Sequence, residues 1–302
     1  MTTIHTIDLG FLGQPHAIAS YLIRHPDGAV LIESGPGTTQ EELRAGLANH
    51  GLTLRDVTHV LLTHIHLDHA GAAGWLAQQG ALIHVHPVGA PHLLNPEKLL
   101  ASAGRIYGDQ MERLWGDFLA VPEDKLVVLN DGDQVAIGNL RFTAISTPGH
   151  AEHHHCYVFE DVCFSGDIGG IRIPGYHYLR APMPPPELNI PKWRESLRKM
   201  RALEINRIAP THFGIYEDPA WQLKAVENAL DESERWLEQV MPADPPVEEL
   251  RARFTDWMEG QGRLAGLDPA AISAFDLANP LGMSADGLQR YWRKVRIAQQ
   301  PG

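Results

Sequence analysis

Thr63-His64-Ile65-His66-Leu67-Asp68-His69-Ala70-Gly71 is the stretch whose reading decides the fold. Four side chains able to bind a metal fall within six residues. The apolar, β-branched run 57–62 leads in, and the Ala-rich segment 70–79 follows and stops at Gly80. That order reads as a buried strand, a tight loop and a helix. Strand side chains alternate, so His64 and His66 can point the same way. Asp68 and His69 then come from the turn that opens the helix, and one short loop can serve two adjacent metal positions. Imidazole and carboxylate suit zinc, iron or manganese.

Three further segments place potential ligands just after short apolar runs: Thr147-Pro148-Gly149-His150, Ser165-Gly166-Asp167 and Ala209-Pro210-Thr211-His212. With the first stretch, they resemble the metal-binding loops of the metallo-β-lactamase superfamily, and in particular its dinuclear glyoxalase II and lactonase-like branch. The resemblance covers roughly residues 1–217. It implies an α/β (α+β) fold, the αββα sandwich, with a helical C-terminal extension over 218–302.

By the same resemblance, His64, His66 and His150 hold one divalent ion and Asp68, His69 and His212 a second, with Asp167 bridging both. Zinc is the first choice, iron or manganese the alternatives. Two ions about 3.5–4 Å apart can share a hydroxide that attacks an activated carbonyl, while Asp68 or a metal-bound water passes a proton to the leaving group. The implied enzyme is a hydrolase of esters, thioesters or lactones. Zinc β-lactamases lack the bridging Asp, which disfavours antibiotic hydrolysis. Flavin-linked di-iron members carry Glu where His66 stands. Quorum-signal lactonases often place Tyr where this chain has Gly170. The family usually has Asp-x-Gly at Glu33-Ser34-Gly35. The competing reading is a persulfide dioxygenase with one iron on His64, His150 and Asp167. A third, non-enzymatic reading is an interaction protein with a vestigial site.

Composition narrows the classes. The 302 residues, 44% hydrophobic and 21% charged, suffice for one large core or a core with a small appendage. A formal net charge of −12 disfavours nucleic acid and anionic membranes as partners, since both need clustered Lys and Arg. The expected partner is a small-molecule substrate, with a homo-oligomer formed through the helical tail as a further option. Seventeen histidines are the one compositional hint of metal chemistry. Cys156 and Cys163 read as core residues. No run of about 18 apolar residues is present, and 1–13 lacks a basic region followed by an apolar core, so a cytoplasmic location is expected.

Further runs read as strands at 18–23, 29–33, 81–86, 126–129, 134–137, 140–146, 156–159 and 207–210. His84 and His86 read as packing or surface residues. Thr38 and Thr39 each precede a Glu by three, a capping-box pattern. An insertion at 93–118 reads as a covering helix pair, with an overhang above the site as the alternative. His153, His154 and His155 read as the start of a strand, one of them able to support a ligand. Residues 169–186, rich in Pro and Gly, form a long irregular segment directly after Asp167. Arg172, Tyr176 and Tyr178 are its candidate substrate contacts, with His177 and Arg180 beside them. Helices are expected at 191–203, 221–240, 247–259, 269–276 and 284–298.

Overall fold

Period-two alternation along the strands sorts the apolar side chains into separate layers. In the computed structural model, which describes residues 2–297, strands β1 (Ile4–Asp8), β2 (Ala19–His25), β3 (Gly28–Ile32), β4 (Val57–Leu61), β5 (Leu82–Val85) and β6 (Leu126–Val128) form one sheet in that order. Strands β1 to β3 pair antiparallel, and β3 to β6 pair parallel. The second sheet runs β11 (Arg207–Ala209), β10 (Val162–Phe164), β9 (His155–Phe159), β8 (Leu140–Ser146), β7 (Gln134–Ile137).

Tyr21, Val30 and Ile32 point from the first sheet into a shared core with Phe142, Tyr157 and Phe164 of the second. Their neighbours Leu22, Ala29 and Leu31 point the other way. They meet helices α1 (Gln40–Asn49), α2 (Leu67–Ala70) and α3 (Ala73–Gln78), and the insertion helices α4 (Ala90–Leu94), α5 (Glu97–Tyr107) and α6 (Met111–Trp115). On the far side of the second sheet, Cys156 and Cys163 face α7 (Ile190–Arg201) and the tail helices α8 (Pro219–Val240), α9 (Val247–Leu264) and α11 (Leu281–Tyr291). The result is the αββα sandwich, with α10 (Pro269–Ala278) against the irregular segment through Phe275.

The tail shares its apolar cluster with the second sheet. Leu223, Leu230, Phe254 and Leu288 are buried together with Trp193 and Cys163. Burial of a side chain such as Phe254 stabilises by about 1.5–3 kcal/mol, so the tail helices are held by the same effect as the strands.

Several expectations need correcting. Strand β1 pairs with β2 in full register, although no strand is expected at 4–8. The helix expected at 70–79 is two short helices, α2 and α3. Thr39 makes no capping bond: its hydroxyl donates to Pro36 O, and that of Thr38 donates to Leu114 O. A capping box forms instead at Thr53 and Asp56. The last helix starts at Leu281 and passes into a wide turn at Trp292–Arg296; Ala298, its expected end, lies outside the described residues. Among the described residues no helix is long and apolar enough to cross a membrane.

Candidate metal centre

Loops at the strand ends bring together all seven residues singled out by the sequence. His64 Nε2 lies 2.9 Å from His66 Nδ1, which lies 3.0 Å from His150 Nε2. Asp68, His69 and His212 form a second group, with His69 Nε2 at 3.5 Å and His212 Nε2 at 3.4 Å from Asp68 Oδ2. Asp167 stands between the groups. Its Oδ1 is 3.2 Å from His69 Nε2 and 3.4 Å from His212 Nε2, while its Oδ2 is 3.3 Å from His150 Nε2.

These donors fit a divalent metal. His69 Nε2 and Asp167 Oδ1 are buried without a hydrogen-bond partner among the described residues, an arrangement that costs free energy unless something else satisfies them. Neutral imidazole nitrogens and carboxylate oxygens, three or four per group, are the donor set of zinc and its neighbours.

The far nitrogens are also held, which fixes ring orientation. His212 Nδ1 lies 2.7 Å from Ala17 O, His150 Nδ1 2.9 Å from Pro182 O, and His69 Nδ1 3.0 Å from Glu33 Oε1. Glu33 is fully buried and sits at φ +69. Its carboxylate accepts from the Thr63 amide at 3.2 Å, from the Thr63 hydroxyl, and from the Thr211 hydroxyl at 3.0 Å. The longer side chain therefore ties the Thr63 and Thr211 loops to helix α2.

Two glycines let the loops approach. Gly166, at φ +50, precedes Asp167, and a Cβ there would stand 2.5 Å from Thr63 Oγ1 and 2.6 Å from His154 Nε2. Gly149, at φ +145, precedes His150, and its Cβ would stand 2.4 Å from Trp193 Cα. Only Gly accepts such φ values without strain.

Electrostatics separates the two groups. Burial holds His64 well below the ordinary imidazole range and brings His66 to about 3, so both are neutral and ready as ligands. His150 is lowered by burial too. His69 and His212 go the other way: against burial, the carboxylates around them hold both above the ordinary value. Those same histidines hold Asp68 and Asp167 low in spite of burial.

A cavity of about 200 Å³ opens on this centre. Ile65, His66 and Asp68 form its floor, the insertion helix α5 one wall through Leu99, Ser102 and Tyr107, and Pro182 and Pro184–Pro186 another. The insertion thus both covers the core, through Leu93, Ala103 and Trp115, and overhangs the site.

The expected substrate contacts are elsewhere, and this is a correction. Arg172 is buried, paired with Asp218 and lying 3.9 Å over the Tyr216 ring and 4.4 Å over Trp221. Tyr178 packs edge-on against Phe275, and Tyr176 lies in the same cluster. None of the three lines the cavity, because the irregular segment turns these residues toward α8 and α10 and only its prolines toward the metal side. Arg180 is buried on the same side and paired with Asp276.

His84 is buried against His59, and His86 lies 3.3 Å from Ser146 Oγ. His155 begins β9, whereas His153 and His154 precede it. His154 packs under His64 with its Nδ1 2.9 Å from Thr147 Oγ1. His153 lines the cavity, 3.5 Å from Glu187. Ala17 O and Pro182 O carry no residue-type signal, and Thr63 and Thr211 become visible only once Glu33 is seen to reach them.

The sequence profile described as the metallo-beta-lactamase superfamily matches residues 13–212. A "Metallo-beta-lactamase fold-containing protein" of Sulfurisphaera tokodaii is 26% identical over 70% of this chain and 78% of its own length. An "Atrochrysone carboxyl ACP thioesterase" of Aspergillus fumigatus is 27% identical over 74% of this chain, and a "Hydroxyacylglutathione hydrolase" of Rhodopseudomonas palustris 35% identical over 49%. The chain spans only 58% and 46% of the lengths of those two. A solved metallo-beta-lactamase family protein of Thermus thermophilus superposes with a TM-score of 0.65 at 21% identity, covering 96% of this chain and 93% of its own. The fold likeness therefore extends into the tail.

Proposed function

This chain belongs to the metallo-beta-lactamase superfamily, and from that premise we propose that it is a dinuclear metal-dependent hydrolase cleaving an ester, thioester or lactone. One observation carries the reading: the two oxygens of Asp167 are divided between two histidine groups, 3.2–3.4 Å from His69, His212 and His150. Three ligands sufficient for a single iron would leave Asp68, His69 and His212 without a task. The likeness to a thioesterase and to a hydroxyacylglutathione hydrolase supports the same reaction class.

In this reading His64, His66 and His150 hold one ion, Asp68, His69 and His212 the other, and Asp167 both, with zinc the first choice. Divalent ions held there would supply Lewis acidity and a water that ionises near neutrality. The chain does the rest. Glu33, Ala17 O and Pro182 O aim the imidazoles, so the ligand nitrogens need no reorganisation. Asp68, whose side chain is 20% exposed while that of His69 is fully buried, is the carboxylate that faces the cavity; held ionised by His69 and His212, it can take up a proton from the attacking water and relay it to the leaving group. The apolar part of the lining, Ile65, Leu99 and the prolines, strengthens the charge interactions at the floor. A small molecule fits such a space.

The test uses metal-loaded protein under anaerobic conditions. Hydrolysis of at least one generic aryl ester, lactone or thioester is expected, abolished by a chelator and restored by zinc, manganese or cobalt, with about two ions bound per chain. Oxygen consumption with a persulfide by iron-loaded protein, without hydrolysis across the panel, would overturn it.

A further inference from the structure

Two spaces, both lined mainly by apolar side chains, converge on the metal-ligand groups. The larger, of about 200 Å³, meets the side of His66, His150 and Asp167. The second, of about 110 Å³, meets His212 and is lined by Phe11, Ile18, Leu114, Trp115 and Leu277. Asp68 borders both. The partition between them is Tyr107 of α5 and Met283 of α11, whose hydroxyl and sulfur lie 3.5 Å apart. Ala278 and Pro280 border both spaces as well, so insertion and tail together build the divide.

The chamber's chemistry is one-sided. Trp115 stacks on Phe11 at 5.5 Å and meets the Tyr107 ring edge-on at 5.1 Å. Its acid away from the metal ligands, Asp276, is engaged by Arg180. The chamber therefore offers mainly apolar and aromatic surface, with Asp68 and His212 at its metal end and, away from it, the paired Asp276 and the polar atoms of Tyr107 and Trp115. A group on the reacting bond that lies over Asp68 would extend one substituent into each space. A dry cavity of roughly 150 Å³ holds one benzene, so this one suits a compact group of about four to six carbons.

We propose that the substrate is a two-armed ester or thioester whose compact branched or aromatic arm enters the chamber beneath Trp115, while its larger arm lies in the proline-walled cleft. This rests on the hydrolase reading for the reaction and on the two spaces for the specificity. Each methylene buried in the chamber raises kcat/KM about fourfold, until the chamber is full.

The experiment takes metal-loaded protein and two ester and thioester series. One lengthens the acyl arm from acetyl through isovaleryl to benzoyl and phenylacetyl; the other lengthens the alcohol or thiol arm in the same way. In one series kcat/KM should climb and then fall sharply beyond the size limit. Leu114→Phe, which fills the chamber, should lower the ratio of large-arm to smallest-arm kcat/KM by at least tenfold. Met283→Ala, which removes the partition, should move the optimum to larger arms. Opposite shifts from two variants exclude a general loss of folding. A crystal under xenon reads the chamber without any turnover: wild type should show a site between Trp115 and Leu277 that Leu114→Phe lacks. Hydrolysis with the same arm preference in all three proteins, or a xenon map without that site, overturns the inference and leaves the hydrolase reading standing. A xenon site without hydrolysis of any substrate overturns both the proposed substrate and the hydrolase reading.

Discussion

Replacing Glu33 with Ala should both destabilise the metal-free protein and loosen its hold on metal. The carboxylate is fully buried and accepts four hydrogen bonds: from the Thr63 amide, the Thr63 and Thr211 hydroxyls, and His69 Nδ1. A buried donor left without an acceptor costs about 1–3 kcal/mol. The two hydroxyls can rotate towards other acceptors. The Thr63 amide and the His69 ring cannot, so two donors remain stranded and the cost is about 2–6 kcal/mol. Ala at φ +69 keeps the backbone strain that Glu33 already carries, so strain cancels in the comparison. His69 also loses the partner that aims its Nε2, and loss of such a partner weakens metal binding about 10–100-fold. Urea unfolding of chelator-treated protein at pH 7 measures the first effect, and competition with a zinc indicator the second. A variant within about 0.5 kcal/mol of wild type, the ordinary range for a surface change, and with unchanged zinc affinity would show that the Glu33 contacts do not organise the site.

Asp167→Asn should lose at least one metal and most turnover while far-ultraviolet circular dichroism stays that of the folded protein; full metal content by elemental analysis would remove the bridging role. Tyr178→Phe, at a ring packed on Phe275 and away from the cavity, should leave kcat/KM within twofold of wild type, and a larger drop would return the irregular segment to substrate binding. Asp218→Asn tests the Arg172 pair by pH. Hydrogen bonding to Arg172 lowers the Asp218 carboxyl below its ordinary 3.8, so its stabilisation is present above that value and fades as the pH falls below it. The variant should be less stable than wild type at pH 6–7, and the gap should close on acidification; a gap independent of pH would mean that the ion pair is not its source.

What the sequence could reveal follows from how local each feature is. A ligand loop of this kind is written in consecutive residues, because a strand end and the following turn place His64, His66, Asp68 and His69 within one turn of chain. Most strands, though not β1, were legible for the same reason: in β2, Tyr21 and Leu22 face different layers, and that alternation is a property of neighbours. The cavity has no such local signature. Its walls come from α5, from prolines after position 181, and from Met283 of α11, which lie far apart in sequence and meet only through tertiary packing. The insertion at 93–118 reads as a covering helix pair or as an overhang, and nothing in its apolar spacing distinguishes a face laid on core from one laid over the site. Arg172 and Tyr178 mislead in a physically instructive way. A loop leaving a metal ligand has two sides, and residues with recognisable chemistry need not lie on the side that faces the ligand. Here Asp218 and the rings of Tyr216 and Trp221 draw the guanidinium of Arg172 towards α8. Anchoring the segment on that side is what leaves Pro182 to Pro186 against the cleft, and Pro182 O in place to hold His150. The residues that looked like substrate contacts thus serve the site indirectly, as the anchor that sets where its wall and one of its ligands stand.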